Sequence, residues 1–342
     1  MIEAGKRGAR WFVPVVAIAV LGAASAAAVA QGNYAQRPEV TAFIDEMASE
    51  RGFSAKSLRR LFAEVQYQPK VIEAISRPVL APPQWYEFAP RFLAAARVEA
   101  GVAFWRAHQA ALERAESEFG VPPEIIVGII GVETYYGRYT GNYRVIDALT
   151  TLAFDYPRRA EFFRSELKQF LLLAREERIS PLEPKGSYAG AIGLPQFMPS
   201  SFRAYALDYD RDGSVDLAAN PDDAIGSVAY YLERHGWQRG APLMAAALIE
   251  PEQREAALAR LDAGLSEQRS ATQWAQDGVS VFEAPSGSDV FGLLMLEEEG
   301  GPTYWVVYGN WFVLTRYNRS RLYASAVVEL AAAVADAMAQ SP

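Results

Sequence analysis

The chain has 342 residues, of which 41 are acidic and 33 are basic, so its formal net charge is −8. Hydrophobic residues make up 51% of the sequence and charged residues 22%, which is typical of globular proteins and excludes a wholly disordered chain. An acidic surface repels phosphate, and no long basic run follows residue 30, so we do not expect nucleic acid as a partner. The length favours about two domains.

The side chains available for chemistry are limited. There is no cysteine, and the two histidines are His108 and His235. These counts exclude thiol catalysis, disulfides, iron–sulfur clusters and any zinc site that needs three histidine or cysteine ligands. Any catalysis must therefore rest on carboxylates, hydroxyls and amides.

The first 30 residues have the pattern of a secretory signal. Lys6, Arg7 and Arg10 precede an apolar stretch that ends in small residues at 28–30. We interpret 1–30 as an export signal. The alternative is an uncleaved N-terminal membrane anchor, since the stretch is close to the roughly 20 residues that span a bilayer. We expect no later segment to span a membrane, and without cysteine the chain cannot be a lipoprotein.

Apolar residues recur at helical spacing through most of the chain. The pattern predicts two short helices between 40 and 76 and one long helix over 92–119. The pair of prolines at 122–123 suits the first turn of the next helix. Further helices are predicted around 159–177, 200–207 and 221–235.

The pattern changes in the last third of the chain. Four apolar runs between 277 and 316 are separated by Gly, Pro, Ser or Asn, which predicts a small antiparallel sheet. The Gly-Asn pair at 309–310 predicts a tight hairpin before a last strand at 311–315. A helix is predicted at 322–338. The predicted fold class is therefore α+β, mainly α, with the sheet in a later lobe.

The most unusual segment, 124–137, is almost entirely apolar but carries Glu133 near its end. Glu133 falls in the last helical turn, where exposed carbonyls disfavour an ionised carboxylate, and its apolar neighbours act in the same direction. Both effects raise the pKa of the carboxyl group, as a general acid requires. Its alternative role is a structural ion pair with Arg138, Arg158 or Arg159.

A second segment, 185–200, is rich in glycine and other small residues, which let a backbone approach a ligand closely. Ser187 and Gln196 suit hydrogen bonds to amide or hydroxyl groups of a polar polymer. Ser200 is expected to cap the helix that follows. The alternative is a turn-rich connector that binds no ligand.

The segment 208–216 fits the start of an EF-hand calcium loop. Asp208, Asp210 and Asp212 stand at the first three ligand positions, a glycine follows, and Ser214 supplies the next carbonyl. The usual glutamate at position 12 is replaced by Ala219. The alternative is an Asp-rich turn that caps the next helix.

Several of these segments occur together in one family. The chain resembles the lytic murein transglycosylase B family of bacterial cell-wall enzymes from about residue 37 to residue 335. The motifs that carry the resemblance are 131–134, 142–149, 156–159, 193–200 and 317–318. The resemblance implies a lysozyme-like helical core with additional helices and a small antiparallel β lobe. The implied organisation is N-terminal helices at 37–80, the catalytic core at 81–240 with an EF-hand-like loop at 208–222, the β lobe at 241–316, and a C-terminal helix at 317–340 that packs on the helical part.

The resemblance also implies a reaction. Glu133 would protonate the glycosidic oxygen between N-acetylmuramic acid and N-acetylglucosamine, while the substrate's own N-acetyl group stabilises the developing positive charge. Glu133 would then accept the proton of the muramoyl 6-hydroxyl, which gives a 1,6-anhydro-muropeptide without water.

The same resemblance implies roles for further residues. Arg158 and Arg159 would lie within reach of the stem peptide, and Asp222 would close a lengthened loop around a structural calcium ion. Where the family has a cleft tyrosine this chain has Phe88, so that hydroxyl contact would be missing. The residues implied to line the glycan cleft are Ser187, Gln196, Tyr230, Tyr317, Asn318 and Tyr323.

Two other functions stay open from the sequence. A hydrolytic muramidase on the same fold would need a base, for which Asp147 and Asp155 are candidates, although the resemblance places neither in that role. A non-catalytic peptidoglycan-binding protein would use Glu133 only structurally. We expect a monomer in the periplasm that acts on peptidoglycan glycan strands without a catalytic cofactor and meets other cell-wall synthesis or turnover proteins.

Overall fold

The computed structural model describes residues 33–77, 83–262, 264–281 and 290–340. The predicted export signal at 1–30 lies outside these residues and stays a prediction. Helices dominate the described part of the chain, with one small antiparallel sheet near its end. The predicted fold class, α+β and mainly α, is therefore confirmed.

The N-terminal region forms three helices where the apolar pattern predicted two. They are α1 (Pro38–Arg51), α2 (Ala55–Glu64) and α3 (Pro69–Ser76). Gly52 ends α1 in the left-handed conformation, at φ 68°, and the Ser54 hydroxyl caps α2 by accepting a hydrogen bond from the N–H of Ser57. The sequence pattern missed α3 because an eight-residue helix spans little more than two turns.

The central region is also more broken than predicted. Its helices are α4 (Trp85–Phe88), α5 (Pro90–Leu93), α6 (Ala95–Ala107), α7 (Gln109–Phe119) and α8 (Pro123–Thr134). The single long helix predicted over 92–119 is wrong, because the backbone leaves the helical conformation at His108, with φ −121° and ψ 25°. The His108 ring packs on Phe104, with 4.7 Å between centroids, and Nδ1 lies 3.4 Å from a carboxylate oxygen of Asp222. Tertiary contacts hold the break.

Helices also form at the positions predicted around 159–177, 200–207 and 221–235. The helices that follow α8 are α9 (Val145–Asp155), α10 (Ala160–Glu176), α11 (Pro199–Tyr205) and α12 (Pro221–Arg234), with the antiparallel strand pair β1 (Tyr143–Arg144) and β2 (Lys185–Gly186). Ser200 does not cap α11 as predicted, because it lies inside the first turn. Its N–H and hydroxyl donate to the buried carboxylate of Glu166, at 2.9 and 2.7 Å, so a carboxylate from α10 serves this helix N-terminus.

The sheet occupies the predicted later lobe. Its elements are β3 (Met244–Ile249), α13 (Arg254–Leu258), β4 (Leu261–Asp262), β5 (Leu265–Ser266), β6 (Arg269–Ser270), α14 (Ala271–Gln276), β7 (Val279–Val281), β8 (Val290–Glu298) and β9 (Gly301–Val307). The strand order is β4-β5-β8-β9-β3-β7, every pair is antiparallel, and β6 pairs with β8. Trp274 is fully buried, and its indole N–H donates to the carbonyl of Phe291 at 2.8 Å. The lobe thus has a small core of its own.

The hairpin predicted at 309–310 and the strand predicted at 311–315 are wrong, because this segment is helix α15 (Gly309–Tyr317). The Asn310 amide is buried and bonds to the backbone of Gln238 and Ala241, so it fixes a helix start instead of a turn. Trp311 and Leu314, three residues apart, both enter the main core, which suits a helix. A short apolar run does not by itself distinguish a buried strand from a buried helix.

The last helix, α16 (Arg321–Gln340), packs closely against α8. A methyl group added at Gly128 would lie 2.8 Å from the backbone oxygen of Val327, and one at Gly131 would lie 2.8 Å from a side-chain carbon of Leu330. Glycine costs a helix roughly 1 kcal/mol relative to alanine, so its use twice in α8 calls for a gain elsewhere. That gain is the close approach of the two helices.

Helix α16 is also the one described helix that is long and apolar enough to cross a membrane by length and composition. The expectation was that no later segment could span a membrane, whereas α16 is long and apolar enough to do so by length and composition. Half of its most apolar stretch is buried inside the protein, and its buried residues belong to the main core. The helix therefore has the burial of a core helix.

Candidate active site

The candidate catalytic side chain stands at the end of a buried helix. Pro123 begins α8 and Glu133 is the penultimate residue, as the sequence predicted. The helix ends because Tyr135 adopts a left-handed conformation, at φ 53°, followed by Tyr136 at φ 57° and Gly137 at φ 86°. Three consecutive residues in this region form a sharp turn directly after Glu133 and Thr134.

The Glu133 carboxyl group accepts a hydrogen bond from the hydroxyl of Tyr323, with 2.7 Å between the oxygens. Burial raises the pKa of Glu133 to about 7, and the hydrogen bond from Tyr323 acts in the opposite direction. The raised pKa predicted from the sequence is thus confirmed. Among the described residues Glu133 has no ion pair, so the alternative of a structural pair with Arg138, Arg158 or Arg159 is not realised.

Two further tyrosines extend this contact into a cluster. The Tyr317 ring stacks on the Tyr323 ring, with 6.2 Å between centroids and 13° between planes, and its hydroxyl donates to the carbonyl of Pro195 at 2.5 Å. The Tyr231 ring packs edge-on against Tyr317 at 4.9 Å, and its hydroxyl donates to the carbonyl of Arg316 at 2.8 Å. Helices α12, α15 and α16 therefore each bring one tyrosine to the end of α8.

The structure brings Tyr231 to this cluster where the sequence pointed to Tyr230. The Tyr230 ring packs instead near Phe119 and Tyr205, at 5.7 and 6.4 Å. Adjacent helical residues point in directions about 100° apart, so Tyr230 and Tyr231 lie on different faces of α12. Tyr231 shares its helix face with the fully buried Ser227 and Val228, four and three residues earlier.

The segment 185–200 forms a compact turn beside the tyrosines. The Ser187 hydroxyl accepts a hydrogen bond from the N–H of Ala191 at 3.1 Å. The Gln196 amide nitrogen donates to the carbonyls of Thr140 and Gly193, at 3.1 and 2.9 Å. Both side chains therefore hold the turn, and among the described residues the amide oxygen of Gln196 has no hydrogen-bond donor.

Three other predicted site residues lie at the surface. Arg158 and Arg159 are exposed, and the Arg159 guanidinium lies over the Phe162 ring at 4.3 Å from its centroid. Asn318 is exposed directly after α15. Phe88, which replaces the family's tyrosine, packs on Phe92 with 5.0 Å between ring centroids. The structure places none of these in contact with Glu133.

The two carboxylates considered as a hydrolytic base both have structural partners. Asp147 is buried and pairs with Arg144 at 2.7 Å. Asp155 pairs with Arg37 at 2.8 Å and accepts a hydrogen bond from the hydroxyl of Tyr34 at 2.5 Å. These contacts tie α9 to the strand β1 and to the N-terminal helices, which explains both carboxylates without a catalytic role.

The predicted calcium ligands come together only in part. Oxygens of Asp208, Asp210 and Asp212 all lie within 4.8 Å of one another, an arrangement whose oxygen donors suit a hard cation such as Ca²⁺. The Ser214 N–H and hydroxyl both donate to Asp212 at 2.9 Å. Asp222 is outside this group, because its carboxylate faces His108.

The next residue, Asp223, holds the loop in place instead. It is fully buried and accepts hydrogen bonds from the N–H groups of Tyr209 and Asp216, at 2.7 and 2.8 Å. Helix α12 is capped by Asn220, whose side chain accepts from the N–H groups of Asp222 and Asp223. The aspartates at 208–212 therefore do not cap this helix, which removes the alternative of a simple capping turn.

Known proteins are similar to this chain over nearly its whole length. The transglycosylase SLT domain family matches residues 35–332. Membrane-bound lytic murein transglycosylase B of Escherichia coli (strain K12) is 40% identical over 318 residues, which are 90% of this chain and 86% of the relative. The crystal structure of soluble lytic transglycosylase SltB1 from Pseudomonas aeruginosa is 47% identical, with a TM-score of 0.84, and the match covers 88% of this chain and all (100%) of that chain.

Two further solved structures contain ligands. The Escherichia coli lytic transglycosylase Slt35 in complex with calcium is 41% identical, with a TM-score of 0.83, over 90% of this chain and 96% of that chain. SltB3 from Pseudomonas aeruginosa in complex with NAG-anhNAM-pentapeptide is 30% identical, with a TM-score of 0.74, over 88% of this chain and 79% of that chain. The chain therefore belongs to the transglycosylase SLT domain family, and it is a peptidoglycan lytic transglycosylase with a lysozyme-like helical core.

Proposed function

We propose that this enzyme cleaves the bond between N-acetylmuramic acid and N-acetylglucosamine without water, with Glu133 as the acid and then the base. The observation that carries the proposal is one half-buried carboxyl group at the end of an apolar helix, held by the Tyr323 hydroxyl and with a pKa raised to about 7. Hydrolytic glycosidases normally use two carboxyl groups that flank the bond. No second carboxyl group among the described residues contacts Glu133.

In the proposed reaction Glu133 donates one proton and later accepts one back. Protonated Glu133 gives its proton to the glycosidic oxygen as the bond from that oxygen to C1 of the muramoyl sugar breaks. The substrate's N-acetyl oxygen stabilises the positive charge that develops at C1. The muramoyl 6-hydroxyl then bonds to C1 and gives its proton to the Glu133 carboxylate, so the enzyme is regenerated and the product is the 1,6-anhydro sugar.

The tyrosine cluster suits a glycan substrate, because aromatic faces cover sugar rings while hydroxyl groups find polar partners. We infer cleft roles for Ser187, Gln196, Tyr317, Asn318 and Tyr323, and we add Tyr231 on the basis of its contact with Tyr317. Tyr230 stays a sequence-based prediction. The pentapeptide in the SltB3 complex makes a stem peptide a reasonable ligand here, with Arg158 and Arg159 as its cationic partners.

The reaction is tested by mass spectrometry of the soluble products released from purified peptidoglycan by residues 31–342. Anhydro-muropeptides are expected. Hydrolysis would instead add one water to each product, and reducing-end muropeptides would move the assignment to a muramidase. A folded protein that binds the wall but releases nothing would point to a non-catalytic role.

Tyr323→Phe is expected to move the pH dependence of kcat toward alkaline pH. The hydroxyl of Tyr323 lowers the pKa of Glu133, so its removal lets burial raise that pKa further, and the acid form persists to higher pH. The measurement is the rate of muropeptide release from pH 5 to pH 9. Tyr304→Phe, in the β lobe, is the matched control and should keep the wild-type profile. A shift toward acid pH in Tyr323→Phe would contradict this assignment.

We propose that the loop at 208–216 binds a structural calcium ion through Asp208, Asp210 and Asp212, with Ser214 supplying a carbonyl oxygen. Three adjacent carboxylates repel one another, and a cation at their centre removes that repulsion. Calcium at 100 times its Kd would stabilise the folded protein by about 2.7 kcal/mol. The melting temperature of a chelator-treated sample should therefore rise by several degrees in millimolar calcium.

Two variants test whether the calcium-dependent rise in melting temperature comes from the loop at 208–216. Asp210→Asn should lose most of the calcium-dependent rise, because Asp210 is one of the three clustered carboxylates. Glu50→Gln, an exposed carboxylate on α1, should keep it. The absence of any shift in the wild-type protein would count against a calcium site.

We infer export to the periplasm from the signal pattern at 1–30, since the substrate lies outside the cytoplasmic membrane. A monomer and contacts with other wall-turnover proteins stay predictions. Fractionation of cells that express the full chain tests the location, and the mass of the mature protein shows whether residues 1–30 are removed. A protein that stays in the cytoplasm would contradict the inference.

A further inference from the structure

Thr134 occupies a position that the proposed reaction does not use. It follows Glu133 directly, is 1% exposed, and is the last residue of α8. Its hydroxyl donates to the carbonyl of Leu194 at 2.9 Å and accepts from the N–H of Gly137 at 3.0 Å. A second carbonyl, that of Ile130, lies 3.3 Å from the hydroxyl, so the proton goes to the closer oxygen of Leu194.

The first of these bonds ties α8 to the turn at 185–200. Leu194 is followed by Pro195, whose carbonyl accepts the hydrogen bond of the Tyr317 hydroxyl. Tyr317 stacks on Tyr323, and Tyr323 donates to the Glu133 carboxyl. The contacts form a closed ring that starts at Glu133, passes through Thr134 and returns to Glu133. Each member of the ring limits where the carboxyl group can lie.

The hydrogen bond from Gly137 to the Thr134 hydroxyl stabilises a turn with an unfavourable backbone conformation. Tyr135 and Tyr136 both have positive φ, a region that β-carbon atoms disfavour, and Gly137 follows in the same region. The N–H of Gly137 bonds to the Thr134 hydroxyl across this turn. Backbone hydrogen bonds from Tyr135 to Gly131 and from Tyr136 to Ile130 hold the same turn, and the Thr134 hydroxyl adds the side-chain bond that fixes Gly137 at the end of α8, next to Glu133.

Leu194, the partner of Thr134 in the turn at 185–200, is itself fixed by a backbone hydrogen bond. The N–H of Leu194 donates to the carbonyl of Leu217 at 2.7 Å, and a methyl group at Gly193 would lie 2.3 Å from that same carbonyl oxygen. Leu194 therefore has little room to follow Thr134 if the hydroxyl is lost. The hydrogen bond between Thr134 and Leu194 therefore fixes the position of the end of α8.

We propose that Thr134 is a positioning residue for the reaction, which holds the Glu133 carboxyl against Tyr323 through its hydrogen bonds to Leu194 and Gly137. The proposal rests on the proposed function, because it assumes that Glu133 is the acid. It does not make Thr134 a contact of the substrate, since its side chain is buried behind the helix end.

Thr134→Val tests the proposal, because valine keeps the shape and removes only the hydroxyl. A displacement of about 1 Å costs roughly 100-fold in rate, so kcat should fall by that order while KM changes little. A carboxyl that moves away from Tyr323 loses the hydrogen bond that lowers its pKa, so the pH limb that reports its acid form should move toward alkaline pH. The titratable groups that face Glu133 are Tyr231, Tyr317 and Tyr323, which stay neutral in this range because burial raises the pKa of each.

Three comparisons separate positioning from stability. Thr134→Ser restores the hydroxyl and should restore most of kcat and the wild-type pH limb. Thr151, in α9, has another fully buried hydroxyl, which accepts a hydrogen bond from the N–H of Gln68 at 3.0 Å. Thr151→Val should therefore lower the melting temperature but keep the wild-type kcat and pH limb. If Thr134→Val does not fold, Thr134→Ala takes its place, because it removes the hydroxyl without placing a new methyl group against the carbonyl of Leu194.

The proposal is overturned if Thr134→Val, or Thr134→Ala in its place, keeps the wild-type kcat and pH limb, or if Thr134→Ser does not restore them. Failure of the proposed function has a different signature. If Glu133→Gln is active, Glu133 is not the acid and the proposed function fails. If Glu133→Gln is inactive but Thr134→Val behaves like the wild type, only the positioning role of Thr134 fails.

Discussion

Glu133→Gln is expected to lower kcat by at least about 1,000-fold, because a positioned general acid or base contributes roughly 100- to 10,000-fold and Glu133 serves as both. The glutamine amide has nearly the same shape and can accept the hydrogen bond of Tyr323, but it has no proton to give to the glycosidic oxygen. The measurement is muropeptide release per hour from purified sacculi. Glu50→Gln, an exposed residue on α1, is the matched control and should be fully active.

The same substitution is expected to stabilise the protein at pH 8. Burial raises the pKa of Glu133 from 4.5 to about 7, so between these values the native state holds a proton that the unfolded state has lost. The free energy of unfolding therefore falls as the pH rises through this window. A difference of about 2.5 pKa units corresponds to roughly 3 kcal/mol, which the wild-type protein loses as the pH rises from 4.5 to about 7 and a glutamine at this position does not.

Thermal melts at pH 5 and pH 8 check the sign. Glu133→Gln should melt well above the wild type at pH 8 and close to it at pH 5, while Glu50→Gln should follow the wild type at both. An equal gain at both pH values would mean that ionisation of the carboxyl is not the cause. An inactive and more stable variant would show that the enzyme keeps a buried carboxyl group at a cost in stability, as active sites often do.

Much of the fold was predictable because the long amphipathic segments have a strong period. Helices α10 and α12 lie within a few residues of the ranges 159–177 and 221–235. The errors lie where tertiary contacts decide the local conformation. The break at His108 depends on Phe104 and Asp222, and the start of α15 depends on a buried amide bonded to the backbone at Gln238. Neither partner can be read from local periodicity.

In the candidate site, too, some features were predictable from local sequence and others depended on tertiary contacts. Glu133 was predictable, since one carboxylate in an apolar helix is conspicuous and the direction of its pKa shift follows from burial. The contact of Tyr231 with Tyr317 was not predictable, because it depends on the rotation of α12 about its axis. The role of Thr134 could not be inferred either, since its partner Leu194 lies 60 residues away. Residue types indicate the chemistry, but packing decides which side chains meet.

Gly128→Val is expected to lower the free energy of unfolding by about 3 kcal/mol. Overpacking a close contact costs about 1–3 kcal/mol and occasionally more, and this contact is with backbone that cannot rotate away. The added β-carbon would lie 2.8 Å from the carbonyl oxygen of Val327 on α16. The gain in helix propensity, at most about 1 kcal/mol, does not offset that cost. For a chain of this size the melting temperature should fall by about 5 °C.

The same variant should also lose activity, because α16 carries Tyr323 and α8 carries Glu133. If valine pushes the two helices apart, the hydrogen bond between these side chains lengthens, and a displacement of about 1 Å at the reacting group costs roughly 100-fold in kcat. Gly309→Val is the matched control, since Gly309 is exposed and nothing lies within 4 Å of an added β-carbon. It should melt and react like the wild type. If Gly128→Val kept wild-type activity at a lowered melting temperature, the spacing of the two helices would matter for stability alone.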